Sequence, residues 1–360
     1  MLEREESVRG CLLGMAVGDA MGYPVNRKSW DEIAEAYGPN GLLGYDLTGG
    51  NAEITSYTQF AAYSCNGLLL GAMRGHTDKY LKYIALSLRE WAKAQQFRGV
   101  AEKTFCWLAQ VPEMRRRLCM DTRIPDALRR EVLGTPENPV FRTDCPGILP
   151  VAVAVGILFD PQKMTWDAMR RLAMNGVALV TGDPMTLLTG AVIATAVALI
   201  LQNPDAPLLS HFTKAWEDTQ TQFGNVYPEA AKLSQLLAYA VSLTKDGELS
   251  PLAAMTLLGC ETAPQVLGGA IYASLIHSGN FDEGMIAAVN HSGKSCATGM
   301  LTGAFLGARL GASALPDFYL ESLDAARFLE ELSADLVQGR KSALIFDDSW
   351  DQKYTQGKPV

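Results

Sequence analysis

Apolar residues return every three or four positions along most of this 360-residue chain, the period of a helix with one buried face. Ala, Leu and Met fill these segments, and the alternating apolar and polar runs that strands need are scarce. The spacing predicts helices over 7–21, 58–73, 80–94, 166–179, 187–201, 229–243, 266–277, 298–310 and 323–337. The expected fold class is all-α. Turn chemistry separates the helices at 37–44, 47–51, 135–139, 143–147 and 243–251, and none of these turns is long enough to read as an interdomain linker. No internal repeat and no low-complexity tract breaks the pattern. The expectation is one helical domain over 1–348 and a polar, mobile C-terminal tail over 349–360.

The longest apolar run, 185–201, barely reaches membrane-spanning length and carries Gly190 with Thr186, Thr189 and Thr195. A helix buried on all sides of a soluble protein is the better reading, so no membrane partner is expected. The first residues, MLEREESVRG, are charged where a signal peptide turns apolar. A net charge of −8 leaves no electrostatic footprint for nucleic acid. Arginines cluster between 113 and 131, which reads as a solvated face or a local ion-pair network. The seven cysteines have no Cys-x-x-Cys spacing and are odd in number, which argues against a disulfide framework and for a reduced, cytoplasmic protein.

Two helices carry glycine in an unusual pattern. Gly10, Gly14, Gly18 and Gly22 stand four apart, and so do Gly299, Gly303, Gly307 and Gly311. Each interior glycine costs about 0.5–1 kcal/mol against alanine. Close approach of two helix backbones is the compensating gain, so these two helices are expected to be neighbours at the centre of the fold.

Gly293-Lys294-Ser295 looks like the end of a phosphate-binding P-loop. That loop needs a glycine five residues before its Gly-Lys pair and a buried strand leading in. Ala288 holds the first position, and the preceding FDEGMIAAVNH (281–291) has helical spacing. A nucleotide hydrolase of the P-loop type is therefore set aside.

Five blocks carry a different likeness: GCLLGMAVGDAMGYP (10–24), AEITSYTQFAAYSCNGLLL (52–70), CPGILPVAVAVGI (145–157), APQVLGGAIYASL (263–275) and AVNHSGKSCATGMLTGAFLGA (288–308). In this order they resemble the motif blocks of the ADP-ribosylglycohydrolases, over about residues 8–338. The resemblance implies a compact orthogonal multi-helix bundle. It also implies two Mg²⁺ ions, Mn²⁺ in some members, and hydrolysis of the bond between ADP-ribose and a modified side chain.

The metal motifs are where this chain departs. The aspartate pair of the family's Ser/Thr-Asp-Asp-Thr motif falls on Ser56 and Tyr57, between Thr55 and Thr58. The family's SGDSDST reads SGKSCAT here, so two further aspartates fall on Lys294 and Cys296, around Ser295, and a hydroxyl ligand falls on Ala297. Asn26 replaces a glutamate, Pro150 an arginine, and the histidine of a Thr-His-Gly motif is missing from 180–184. Divalent ions of this type need hard oxygen ligands whose charge balances their own. With those aspartates lost and a lysine added, a dication would meet repulsion and mostly neutral ligands. The family's Mg²⁺ is expected to be lost, with no other cofactor implied.

The candidate cleft is thus Asn26, Thr55, Ser56, Tyr57, Lys294, Ser295 and Cys296. Lys294 either holds an anion such as a pyrophosphate or carboxylate, or points to solvent or pairs with a carboxylate such as Asp19. Free N–H groups at the start of the following helix would help an anion. Asp19 reads as a polar anchor between buried helices. Cys296 beside Lys294 could be an activated thiol with Tyr57 or His291 as proton partner, or a small buried apolar residue. Tyr57 could stack on a base, or fill the volume the metals vacate. Three functions follow: a catalytically inactive relative whose cleft binds an ADP-ribose-like ligand or a protein partner; a metal-independent hydrolase using Tyr57, Lys294, Cys296 or a carboxylate such as Glu53; and an active glycohydrolase with other metal ligands. The first is the reading adopted.

Overall fold

The computed structural model describes residues 2–95, 104–119, 121–245, 247–341, 350, 353 and 354, with backbone alone at 340 and 341. Among them the α-helices are α1 (Arg4–Gly22), α2 (Trp30–Tyr37), α3 (Ser56–Met73), α4 (Tyr80–Ala94), α5 (Arg123–Leu128), α6 (Pro150–Leu158), α7 (Trp166–Ala178) and α8 (Pro184–Gln202). The second half of the chain adds α9 (Leu208–Phe223), α10 (Glu229–Leu243), α11 (Pro251–Leu258), α12 (Ala263–Ile276), α13 (Phe281–Val289), α14 (Ser295–Leu310), α15 (Asp317–Ser322) and α16 (Ala326–Lys341). The described residues hold no strand, and isolated bridges such as Ala52 with Leu323 are their nearest approach to one.

All nine predicted helices form, several starting earlier than periodicity placed them. The reason is capping, which fixes a helix start without any apolar residue. Thr55 accepts the N–H of Tyr57 and starts α3 at Ser56. Asp183 accepts the N–H of Thr186 at 2.8 Å and, with Pro184 in the first turn, starts α8. Short helices outside the prediction follow the same logic: in α2, Ser29 and Glu32 cap one another reciprocally.

The expected neighbours α1 and α14 form the centre. They run antiparallel with their backbones in contact, Gly10 against Gly307, Gly14 against Gly303 and Gly18 against Gly299. A Cβ on Gly303 would lie 1.9 Å from the carbonyl oxygen of Gly14, and one on Gly18 would lie 2.0 Å from that of Gly299. Nothing larger than hydrogen fits. The contact continues to the end of α1, where a Cβ on Gly22 would meet the Ser295 carbonyl oxygen at 2.5 Å. Around this pair the core draws on α3, α6, α8, α12 and α16. The apolar α8 has the length and composition to cross a membrane, yet every residue from Thr186 to Leu201 except Leu199 is buried.

Most of the expected polar, mobile tail over 349–360 lies outside the described residues, which include only Trp350, Lys353 and Tyr354 of it. Trp350 and Tyr354 are buried. The Tyr354 hydroxyl donates to Asp335 at 2.7 Å, its carbonyl accepts from Arg74 at 2.9 Å, and Lys353 pairs with Asp335 and Glu331. The clustered arginines behave as a local ion-pair network, with Arg116 on Asp324, Arg123 on Asp121 and Arg129 on Asp126.

Gly303→Val should lower the free energy of unfolding in urea by at least about 3 kcal/mol, because the clash is with backbone that no rotamer change can relieve. Gly279→Ala, where an added Cβ meets nothing within 4 Å, should leave the urea midpoint unchanged. Equal effects of the two substitutions would contradict the glycine contact.

Candidate functional site

The antiparallel crossing sets the end of α1 beside the starts of α3 and α14, which bear the candidate residues. Asp19, in the last turns of α1, organises the first of these starts. Its carboxylate accepts the N–H and hydroxyl of Thr55 at 2.9 and 2.6 Å and those of Thr58 at 3.1 and 2.7 Å. Burial pushes its carboxyl up, and the threonine hydrogen bonds oppose that shift. Asp19 is the expected anchor, and with these donors on it no pairing with Lys294 occurs.

The loop before α14 is held from both sides. Arg27 donates its N–H to the Gly293 carbonyl at 3.0 Å, and Lys294 donates its N–H to that of Cys260 at 2.9 Å. The buried His291 ring bridges the loop internally. Its Nε2 lies 3.0 Å from the Ala288 carbonyl and must donate to it, while its Nδ1 accepts the Gly293 N–H at 2.9 Å. Burial pushes this imidazole down to about 4, so it stays neutral. Both nitrogens are spent, and His291 is no proton partner for a neighbour.

The expectation of free N–H groups at the start of α14 is corrected. Ser295 donates to the Gly293 carbonyl at 3.1 Å, Ala297 and Thr298 to that of Lys294 at 3.0 and 3.1 Å, and Cys296 to Asn26 Oδ1 at 3.3 Å. Asn26 therefore serves as a capping group supplied from another part of the chain. The P-loop reading fails for the same reason: the helix α13 leads in, and the loop's N–H groups are turned onto protein.

Of the side chains proposed for the cleft, Thr55, Ser295 and Cys296 are fully buried and reach no solvent. Burial pushes the Cys296 thiol well above its ordinary range, with Asp19 adding to the shift. Fully buried, Cys296 has the surroundings of a small apolar residue and not those of an activated thiolate. Ser56 and Tyr57 are nearly buried, at 5% and 4% exposure. Tyr57 fills volume between the two helix starts, close to Cys296, Cys145, Asp19 and Arg27, and burial again pushes its phenol up. Glu53 pairs with Arg116 at 3.8 Å.

Asn26 and Lys294 remain half-exposed. Lys294 reaches across to donate to the Glu261 carbonyl at 2.5 Å. Burial pulls its ammonium down, Asp144 and Glu261 support its charge, and Arg27 opposes it. Asp144 in turn accepts the Ala263 N–H at 2.7 Å at the start of α12, and the Thr186 hydroxyl at 3.3 Å. Arg27, Asp144 and Glu261 are the site residues that sequence reading missed. Asp144 stood in a recognised turn, TDCPG, but its carboxylate gained meaning only once α12 was brought to it.

At the positions where the resemblance implies metal ligands, the side chains are a hydroxyl, a phenol, an ammonium and a buried thiol. Among the described residues no three His, Cys, Asp or Glu side chains group so as to hold a metal ion. This donor set does not fit Mg²⁺, which needs carboxylate or other hard oxygen ligands.

The fold is that of a known class. The sequence profile of the ADP-ribosylglycohydrolases matches residues 1–344, and the chain belongs to that family. A protein of Archaeoglobus fulgidus with no assigned function is 26% identical over 337 residues, covering 93% of this chain and 97% of its own. A solved structure described as an ADP-ribosylglycohydrolase-related protein complex superposes with a TM-score of 0.57 at 20% identity. It covers 94% of this chain and 99% of the other, and at that identity the likeness speaks for the fold alone.

Two outcomes test the site. In native protein Cys296 should resist alkylation that reaches it in urea, read by peptide mass; rapid native labelling would contradict its burial. Between pH 6.5 and about 4 the unfolded chain holds a proton on His291 that the folded chain does not. Stability therefore falls as pH drops through that window, by roughly 3 kcal/mol in total for this group. His291→Gln should flatten the pH dependence of urea unfolding there, and an unchanged slope would refute the assignment.

Proposed function

We propose that this family member has lost the dinuclear Mg²⁺ site and with it the glycohydrolase reaction, and that its cleft binds an ADP-ribose-like anionic ligand. The observation that carries the proposal is Lys294: its ammonium is fastened to the Glu261 carbonyl and faces Asp144, at a position where the resemblance implies a metal-binding aspartate. A fixed monocation supplies attraction for an anion without the Lewis acidity that would activate water. The groups that could otherwise carry catalysis are committed elsewhere, Asp19 to its threonines, His291 to two backbone groups and Cys296 to the interior.

A metal-independent hydrolase has one observation in its favour. Asp144 sits beside Lys294, and burial pushes its carboxyl up, as general acids require. Its engagement by Ala263 and Thr186 favours the binding reading.

Calorimetric titration of chelator-treated protein with ADP-ribose tests the proposal. Binding should be equal with and without Mg²⁺, and about tenfold weaker in Lys294→Ala. ADP-ribosylated peptide should not be turned over. A Ser56→Asp, Tyr57→Asp, Lys294→Asp, Cys296→Asp variant should gain Mg²⁺ affinity. Stoichiometric, tight Mg²⁺ binding by the natural chain would sink the proposal, and metal-free turnover abolished by Asp144→Asn would establish the alternative.

A further inference from the structure

Two non-glycine residues among those described hold a left-handed backbone, Arg27 at φ 62° and Cys260 at φ 49°. That conformation is unfavourable for any residue with a Cβ, and persists only where the surroundings impose it or function uses it. Both residues pack on the loop before α14, Cys260 through the Lys294 N–H and Arg27 through the Gly293 carbonyl. Cys260 has a packing reason, since it is fully buried. Arg27 has none. Its side chain is exposed, and its guanidinium makes no hydrogen bond or ion pair among the described residues. Glycine would hold the same turn without strain.

The charges around it define what could use it. Arg27 and Lys294 are close enough for the arginine's charge to oppose protonation of the lysine. Asp144 and Glu261 also stand near Lys294 and support its charge, and Asp144 accepts from Ala263 and Thr186. Asp19, the other carboxylate acting on this region, is buried and satisfied. The positive charge without an ion-pair partner among the described residues therefore lies on the exposed Arg27, near a second cation whose ammonium is held by the Glu261 carbonyl. A guanidinium presents a planar fork of N–H groups suited to two oxygens of one oxyanion, and an ammonium acts as a point charge beside it.

We infer that Arg27 is the principal ligand contact of this cleft, and that together with Lys294 it holds a group with closely spaced negative charges, a phosphate monoester or a pyrophosphate. The inference rests on the reading of the cleft as an anion site, and it specifies the charge class and the residue that reads it. A phosphate or pyrophosphate offers more oxygens than a carboxylate, so it can meet the guanidinium fork and the neighbouring ammonium together.

The left-handed backbone makes the test unusually clean, because Arg27→Gly deletes the side chain and relieves strain together. Chelator-treated protein and its Arg27→Gly and Arg27→Lys variants would be titrated with inorganic pyrophosphate, AMP, ADP-ribose and acetate, and melted in parallel. The expected result is that the phosphate-bearing probes bind the natural chain in preference to acetate. Arg27→Gly should bind them at least tenfold more weakly while melting at the same temperature or higher, and Arg27→Lys should fall between. Undiminished binding in Arg27→Gly, or a loss of thermal stability in it, overturns the role of Arg27 and leaves the wider anion-site reading standing. Binding of pyrophosphate that depends on Arg27, with no affinity for ADP-ribose, supports the inference while removing the ADP-ribose-like ligand. Failure of every phosphate-bearing probe to bind the natural chain overturns both.

Discussion

The backbone contact between α1 and α14 is the constraint from which the rest follows. Helix axes usually lie 8–10 Å apart because side chains stand between them. Here glycine removes the side chains, and carbonyl oxygens of one helix approach the α-carbons of the other. Such a contact has almost no tolerance for displacement, since every atom in it belongs to the main chain. The ends of the two helices inherit that rigidity. The Asp19 carboxylate, the turn at 23–28 and the start of α14 are consequently fixed relative to one another before any ligand is considered.

On this frame the candidate site carries neutral and cationic groups. This set is self-consistent at the level of hydrogen bonds. The first N–H groups of α14 each have a protein partner, the histidine beside them is locked in one tautomer, and Asp19 is saturated by two threonines. Buried polar groups left without partners would cost about 1–3 kcal/mol each. The interior of the site is stable on its own, and what it leaves available lies at the surface, in the charges of Lys294 and Arg27.

Much of this was legible in the letters, and the limits have physical causes. Periodicity located the long helices because their buried faces repeat. It missed short ones such as α2 and α5, which show too few turns for a period, and it misjudged starts set by Thr55 and Asp183, which are polar. The glycine spacing announced the α1 and α14 contact because a residue that destabilises a helix needs a tertiary reason to be there. The family motifs pointed to the candidate residues at the starts of α3 and α14. They did not reveal that Asn26 would cap α14, or that burial would silence Cys296, because capping across 270 positions and burial are properties of the folded chain. Nor could they single out Arg27, whose distinguishing mark is a backbone angle.

The register of the glycine contact also limits how this protein can change over evolutionary time. Successive residues of an α-helix are rotated by about 100° about its axis. One inserted residue between Gly14 and Gly18 would turn every later position of α1 by that amount. Side chains would then point into the seam, and Asp19 would swing away from Thr55 and Thr58. Loops leading into α3 and α14 carry no such restriction. Substitution at exposed positions near them, such as Arg27, leaves the glycine seam untouched, while an insertion within the seam of either central helix does not.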